Sequence, residues 1–150
     1  MVLPEQLKTP LKRMHSELYR GGHQLTQAAL ADFIREGYYA AHIRKMRQLY
    51  SRRRQVLVNL INDELGGGFL GQYNSNAGLH LILQLPAGVD DITLAQRANR
   101  QGILVRALSS YYAGEKSQSG LLLGFASMEE SEIHTQFHRL AALIKEAQQA

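Results

Sequence analysis

The sequence has no cysteine, no tryptophan and three prolines in 150 residues. Without cysteine there can be no disulfide, no thiolate zinc site and no cysteine nucleophile. The composition is compatible with a reducing compartment such as the cytoplasm. No apolar run approaches the roughly 20 residues that a membrane-spanning helix needs. The opening stretch, Met1 to Gln6, lacks the basic region followed by an apolar segment that marks a secretory signal. Internal repeats and low-complexity tracts are also missing.

What is present is an ordinary soluble-type composition, 45% hydrophobic and 20% charged, enough to form one core. The net charge of +4 is unevenly placed. Residues 1–67 hold eleven Lys/Arg against six Asp/Glu, and residues 68–150 hold six against seven. Such an asymmetry suits either a nucleic-acid surface or a solvated helix face.

The pattern of apolar residues is helical first and strand-like later. Pro10 to Arg20 reads as a helix with Leu11, Met14 and Leu18 on one stripe, ended by Gly21-Gly22. Leu25 to Glu36 reads as a second helix, with Ala29, Leu30, Phe33 and Ile34 on one side. From Tyr39 to Leu65 the apolar residues Tyr39, Ile43, Met46, Tyr50, Leu57 and Leu60 recur at spacings of three, four or seven. At 1.5 Å per residue this third helix is about 40 Å long, more than a small domain is wide. It is therefore expected to bridge two packed regions or support an interface. Gly66-Gly67-Gly68 stops it.

Beyond those glycines the period changes to two. Leu79, Leu81, Leu83 and Leu85 alternate with His80, Ile82 and Gln84, the pattern of a half-buried strand. Asp90 or Asp91 caps a helix with Ile92, Leu94, Ala95 and Ala98 inside and Gly102 at its end. Ile103 to Ala107 reads as a second strand, Leu108 to Ser119 as a loop and Gly120 to Ala126 as a third strand. Ser127-Met-Glu-Glu130 reads as a capping box that opens a last helix with Ile133, Phe137, Leu140, Leu143, Ile144 and Ala147 buried. The expected fold class is α+β: N-terminal helices including the long one, then a two-layer β-α-β-β-α sandwich.

Several constellations invite a chemical reading. Gly66 to Gly71 matches G-x-G-x-x-G by letters, but a dinucleotide fingerprint follows a strand and opens a helix, and here a helix precedes and a strand follows. Glu130, His134 and His138 fall at i, i+4 and i+8 on the last helix; without a third signalled ligand they read as a helix flank, and no metal is expected. Six basic residues and no acid lie between Ala41 and Asn62. Met46, Leu49 and Tyr50 interrupt them, so they read as a solvated or interface face whose arginines pair with acids elsewhere. No serine sits in a nucleophile elbow. None of the five lysines (Lys8, Lys12, Lys45, Lys116 and Lys145) falls at an apolar strand end of the kind that activates an amine for imine formation.

Taken together, Gln27-Ala-Ala-Leu-Ala-Asp-Phe33, Gly37, His42-Ile-Arg-Lys-Met-Arg47, Tyr50 and Arg53-Arg54 resemble the MocR-type regulators. These are a GntR subfamily in which a winged-helix DNA-binding domain is joined to a fold type I aminotransferase-like domain. Ala77-Gly-Leu-His-Leu81, Gly102-Ile-Leu-Val105, Ser109-Ser-Tyr-Tyr112 and Leu122-Leu-Gly-Phe-Ala126 extend the resemblance in order over nearly the whole chain. It implies that residues 1–36 are the tail of the large, cofactor-carrying domain. Residues 37–150 would be the interdomain helix and the small domain. The parent would bind pyridoxal phosphate (PLP) and convert that event into altered DNA binding. The cofactor lysine and the DNA-reading domain would both lie upstream, so this chain is expected to hold no cofactor and to be catalytically silent alone. Its expected partners are the large domain of the same protein and a second copy in a cytoplasmic homo-oligomer, with no membrane. Aminotransferases of this fold commonly carry an arginine in the last strand to clamp the substrate carboxylate. Leu122 stands there here, which leans toward a regulator over the alternative, the small domain of a working aminotransferase. His80 and Arg106 are the candidate replacements, with Tyr111 and Tyr112 beside the same effector-facing cleft. A basic nucleic-acid-binding module is the third reading.

Overall fold

The structure is a computed structural model that describes residues 3–19, 23–71, 78–114 and 118–149. The chain divides into two compact units, Met1–Lys45 and Met46–Ala150.

The first unit contains α1 (Glu5–Tyr19), α2 (Gln24–Arg35) and the start of α3 (Tyr38–Glu64). α1 begins well before the expected Pro10 and carries that proline inside. Proline has no N–H, so the carbonyl one turn back loses its helical donor, and the helix tolerates the loss. The Gly21-Gly22 stop lies outside the described residues. Neither α1 nor α2 buries a single side chain. Leu7, Met14, Leu18, Leu25, Leu30, Phe33 and Ile34 are all at least 41% exposed, so the amphipathic stripes read from the sequence exist but face no core. Gly37, with φ +83°, supplies the left-handed residue that lets α2 end and α3 begin.

α3 is a continuous helix of 27 residues, as its apolar period predicts. It contributes Leu57, Leu60 and Ile61 to the core of the second unit. Gly66, with φ +94°, ends it, and a 3-10 turn follows at Gly67–Phe69.

The second unit is built on a three-stranded sheet of β1 (His80–Gln84), β2 (Arg106–Ala107) and β3 (Gly120–Gly124) in the order β1-β3-β2. β3 is antiparallel to both neighbours, pairing His80 with Gly124, Leu83 with Leu121 and Arg106 with Leu122. β1 and β2 are joined through α4 (Asp91–Arg100), and α5 (Glu130–Gln149) follows β3. The architecture is the expected α+β order. Leu81, Leu83, Ala107, Leu121 and Leu123 belong to the same buried cluster as Leu94, Ala95 and Ala98 of α4 and Ile133, Phe137, Leu140 and Ile144 of α5. Arg97 of α4 also pairs with Glu146 of α5.

Two boundaries differ from the sequence reading for identifiable reasons. The second strand was expected over Ile103 to Ala107 but is only Arg106–Ala107. Asn99 takes the Val105 backbone: its amide donates to the Val105 carbonyl at 3.2 Å and accepts from the Val105 N–H at 3.1 Å. The third strand ends at Gly124, and α5 starts at Glu130, two residues after the Ser127 capping box requires. Arg53 of α3 holds that connection. Its guanidinium donates to the Ala126 carbonyl at 2.6 Å and to Glu129 at 2.7 Å. The cap is shifted accordingly, with Glu132 accepting from the Glu129 N–H at 2.9 Å.

Gly120 sits at the tightest approach in the sheet. A Cβ there would lie 2.8 Å from the Leu83 carbonyl oxygen, a backbone atom that cannot step aside. Gly120→Ala is expected to lower the unfolding free energy by about 1–3 kcal/mol, the usual range for overpacking a rigid site. Urea denaturation reads this as a lower midpoint at unchanged slope.

Candidate functional site

The sheet has two unlike faces. Residues 81, 83, 121 and 123 point into the core, so the alternate residues point the other way. That second face carries His80, Ile82 and Gln84 from β1, Leu122 and Gly124 from β3, and Arg106 from β2. Ile82 and Leu122 are half-buried and form an apolar floor, while His80, Gly124 and Arg106 are exposed. The glycine leaves the space beside His80 open: a Cβ on Gly124 would come within 3.6 Å of the imidazole.

His80 and Arg106 therefore share a face, but on the two outer strands. With neighbouring strands about 4.8 Å apart, roughly 10 Å separates them sideways. Arg106 is instead brought to Tyr111. The guanidinium donates to the phenol oxygen at 3.2 Å. That hydrogen bond, with the favourable electrostatics of the same contact, raises the Arg106 pKa above its ordinary value. Tyr111 is 57% exposed and Tyr112 37% exposed. Among the described residues no carboxylate pairs with Arg106.

Tyr111 is placed by a buried carboxyl group. The turn that follows β2, Leu108–Tyr111, is a 3-10 helix rather than a plain loop. Its Ser109 donates to Asp91 twice, from the backbone N–H at 2.8 Å and from the hydroxyl at 2.5 Å. The N–H of Gly120 adds a third bond at 3.1 Å. Asp91 is 2% exposed and Ser109 3%. The two adjacent aspartates thus divide their work. Asp90 is the N-cap of α4, accepting from Ile92 and Thr93. Asp91 turns inward and ties the start of α4, the 3-10 turn and the start of β3 together. The sequence named both as possible caps and gave no signal for the inward role, because Ser109 and Gly120 are distant along the chain.

The other candidates fall elsewhere. His138 Nδ1 lies 2.6 Å from Glu64 Oε1, joining α5 to the end of α3, and its ring centroid is 6.5 Å from that of His134. Among the described residues no group of three or more His, Cys, Asp or Glu is placed to hold a metal. The basic run on α3 is split: Arg53 is 6% exposed and committed to Ala126 and Glu129, so it is no surface phosphate contact. Arg52 lies 3.9 Å from Glu130. A half-open groove of about 350 Å³ lies beside Leu104, Met128, Ile133 and Phe137. Its polar side chains are Ser127 and Gln136, and no acid or base lines it. Among the described residues no helix is long and apolar enough to cross a membrane.

PLP requires an amine placed for imine formation. Lys8, Lys12, Lys45 and Lys145 are all exposed on helices, and Lys116 lies outside the described residues. The described residues do not fit this cofactor.

No protein-family model matches the chain. Individual relatives do. It is 36% identical over 129 residues to the probable rhizopine catabolism regulatory protein MocR of Rhizobium meliloti, covering 86% of this chain and 26% of that protein. It is 30% identical over 142 residues to the uncharacterized HTH-type transcriptional regulator YhdI of Bacillus subtilis, covering 93% and 30%. It is 33% identical over 109 residues to the pyridoxine biosynthesis regulator PdxR of Corynebacterium glutamicum, covering 73% and 23%. Among solved structures, the α-aminoadipate aminotransferase LysN of Thermus thermophilus superposes with a TM-score of 0.77 at 17% identity, over 97% of this chain and 37% of that one. A kynurenine aminotransferase of Pyrococcus horikoshii gives 0.63 at 24% identity, over 76% and 28%.

Asp91→Asn keeps one acceptor oxygen and replaces the other by an NH2, so the three bonds donated by Ser109 and Gly120 are not all kept as they are. It is expected to cost about 1–3 kcal/mol of stability, the range for disturbing a buried hydrogen-bonded group. Thermal unfolding followed by circular dichroism checks this, with Asp90→Asn, a conservative cap replacement, losing much less.

The chain spans about a quarter to a third of the curated relatives it matches, and those homologues are MocR/GntR-type helix-turn-helix regulators with an aminotransferase-like domain.

Proposed function

We propose that this chain is the C-terminal part of a PLP-binding, aminotransferase-like transcriptional regulator, serving effector sensing and dimerisation and not catalysing a reaction by itself. The observation that carries the reading is the first unit. Two amphipathic helices, α1 and α2, bury none of their side chains. Helices in water draw most of their stability from packing an apolar face, so these two are built for a larger body. Relatives more than three times as long supply a natural candidate. In this reading residues 1–36 are the tail of the large domain, and residues 37–150 are the interdomain helix and small domain. PLP, its lysine and the DNA-reading domain belong to the parent protein, a cytoplasmic homo-oligomer. The open sheet face, with His80, Arg106, Tyr111 and Tyr112, looks toward the effector. Leu122 on that face, where working aminotransferases of this fold commonly place an arginine, supports a sensor.

A second reading is the small domain of a genuine aminotransferase, whose fold LysN shares with this chain. The upstream reading frame separates the two: a winged helix there supports the regulator, and its absence the enzyme.

Two measurements test the chain itself. Incubated with PLP and reduced with borohydride, it is expected to show no stoichiometric adduct in the intact mass; one equivalent on a single lysine overturns the reading. Light scattering is expected to show self-association that grows with concentration, since ten of the 14 exposed large hydrophobic residues among those described lie before Met46. A strictly monomeric species at high concentration counts against the exposed helices being interface.

A further inference from the structure

We propose that His134 and His138 of α5 bind a divalent transition cation of the zinc class, with Glu64 of α3 behind them as a positioning residue. The site is apart from the open sheet face, because α5 packs on the other side of the sheet. It is also independent of the regulator reading.

Helical spacing makes the two imidazoles neighbours. Residues four apart on a helix share a face, and both histidines are exposed on it. Their ring centroids are 6.5 Å apart, with the rings tilted by 41°. Two imidazoles on one tetrahedral cation, each nitrogen about 2 Å from the metal, have centroids about 5 Å apart. Rotation of the exposed His134 side chain closes that difference without moving the helix. His134 has no hydrogen-bond or ionic partner among the described residues to hold it back.

Spacing alone leaves the pair a helix flank; the carboxylate from α3 gives it a direction. Glu64 Oε1 lies 2.6 Å from His138 Nδ1. The Glu64 side chain is 18% exposed against 60% for His138. That oxygen is buried, and no hydrogen bond of regular geometry reaches it among the described residues, so the imidazole is its partner. Two lone pairs would repel at 2.6 Å, so Nδ1 carries the proton. In the neutral ring Nε2 then keeps its lone pair, ready to accept a metal. A carboxylate on the far nitrogen fixes the tautomer and ring orientation and raises the basicity of the ligating nitrogen, as it does behind metal-bound histidines. Glu64 stands behind His138, so three side chains do not converge on one point. Glu130, one turn before His134, lies 3.9 Å from Arg52 instead. The remaining positions on the cation belong to water. Imidazole nitrogen favours Zn2+ and Cu2+, whereas Mg2+ and Ca2+ prefer oxygen.

The test titrates zinc chloride into the metal-stripped 150-residue chain at a pH of about 8, above the ordinary imidazole range. Calorimetry gives the stoichiometry, and NMR of the imidazole nitrogens gives the residues. One equivalent of zinc is expected to shift His134 and His138 together and to leave His80 in place. Magnesium chloride is expected to shift none of them, and Cu2+ to bind more tightly than Zn2+. His134→Asn and His138→Asn are each expected to weaken zinc binding by about tenfold or more, and His80→Asn to change nothing. Both ligand positions are exposed, so these variants are expected to keep the zinc-free circular dichroism spectrum. Glu64→Gln, which removes the charge behind His138, is expected to weaken binding by about tenfold. Before zinc is added, the His138 nitrogen shifts are expected to report the Nδ1–H tautomer, with that preference reduced in Glu64→Gln. Zinc binding unchanged in either His134→Asn or His138→Asn, or an equal response to Mg2+, overturns the site. An Nε2–H tautomer at His138 overturns the positioning role of Glu64. Half an equivalent of zinc per chain, with dimer formation, overturns the completion of the site by water.

Discussion

A single buried carboxylate organises the second unit. Asp91 is almost wholly buried and accepts from two backbone N–H groups and one hydroxyl, contributed by the 3-10 turn after β2 and by the first residue of β3. Burying a carboxylate is unfavourable unless its oxygens are satisfied, so the three donors are as necessary to Asp91 as Asp91 is to them. This fixes where α4 begins, where β3 enters the sheet and how Tyr111 is presented. Arg53 does the corresponding work at the other end of β3. Its buried guanidinium ties α3 to the Ala126 carbonyl and to Glu129, setting where the strand ends and where α5 starts.

Between these two anchors the sheet is asymmetric by construction. Alternating leucines give it one face that α4 and α5 cover, and a second face with an apolar floor and donor side chains that they do not. A sheet with one face packed and one face open is stable in water when the open face is polar. Here it is only partly so, and the half-buried Ile82 and Leu122 make it a surface suited to contact. The first unit has the same character more strongly, with whole helices whose apolar residues are exposed. Both features leave apolar surface exposed.

The likeness to aminotransferases concerns the fold, because identities of 17% and 24% carry no chemistry. The four described lysines are exposed on helices, and no acid or base lines the groove.

The sequence by itself determined the order of elements, the length of α3 and which residues of β1, α4 and α5 face inward. Each of these depends on a local period, of 3.6 or 2, that the chain carries wherever it goes. The similarity to the regulators was legible too, since His42 to Arg47 and the later motifs are linear strings. Tertiary structure alone decided the rest. The inward turn of Asp91, the burial of Arg53 within an apparently basic surface, the shortening of β2 by Asn99 and the pairing of Arg106 with Tyr111 all depend on distance in space. A side chain's partner can lie 18, 29 or 73 residues away, as it does for Asp91 and Arg53. No local pattern encodes such a partner, because the free energy that selects it comes from desolvation in the assembled core.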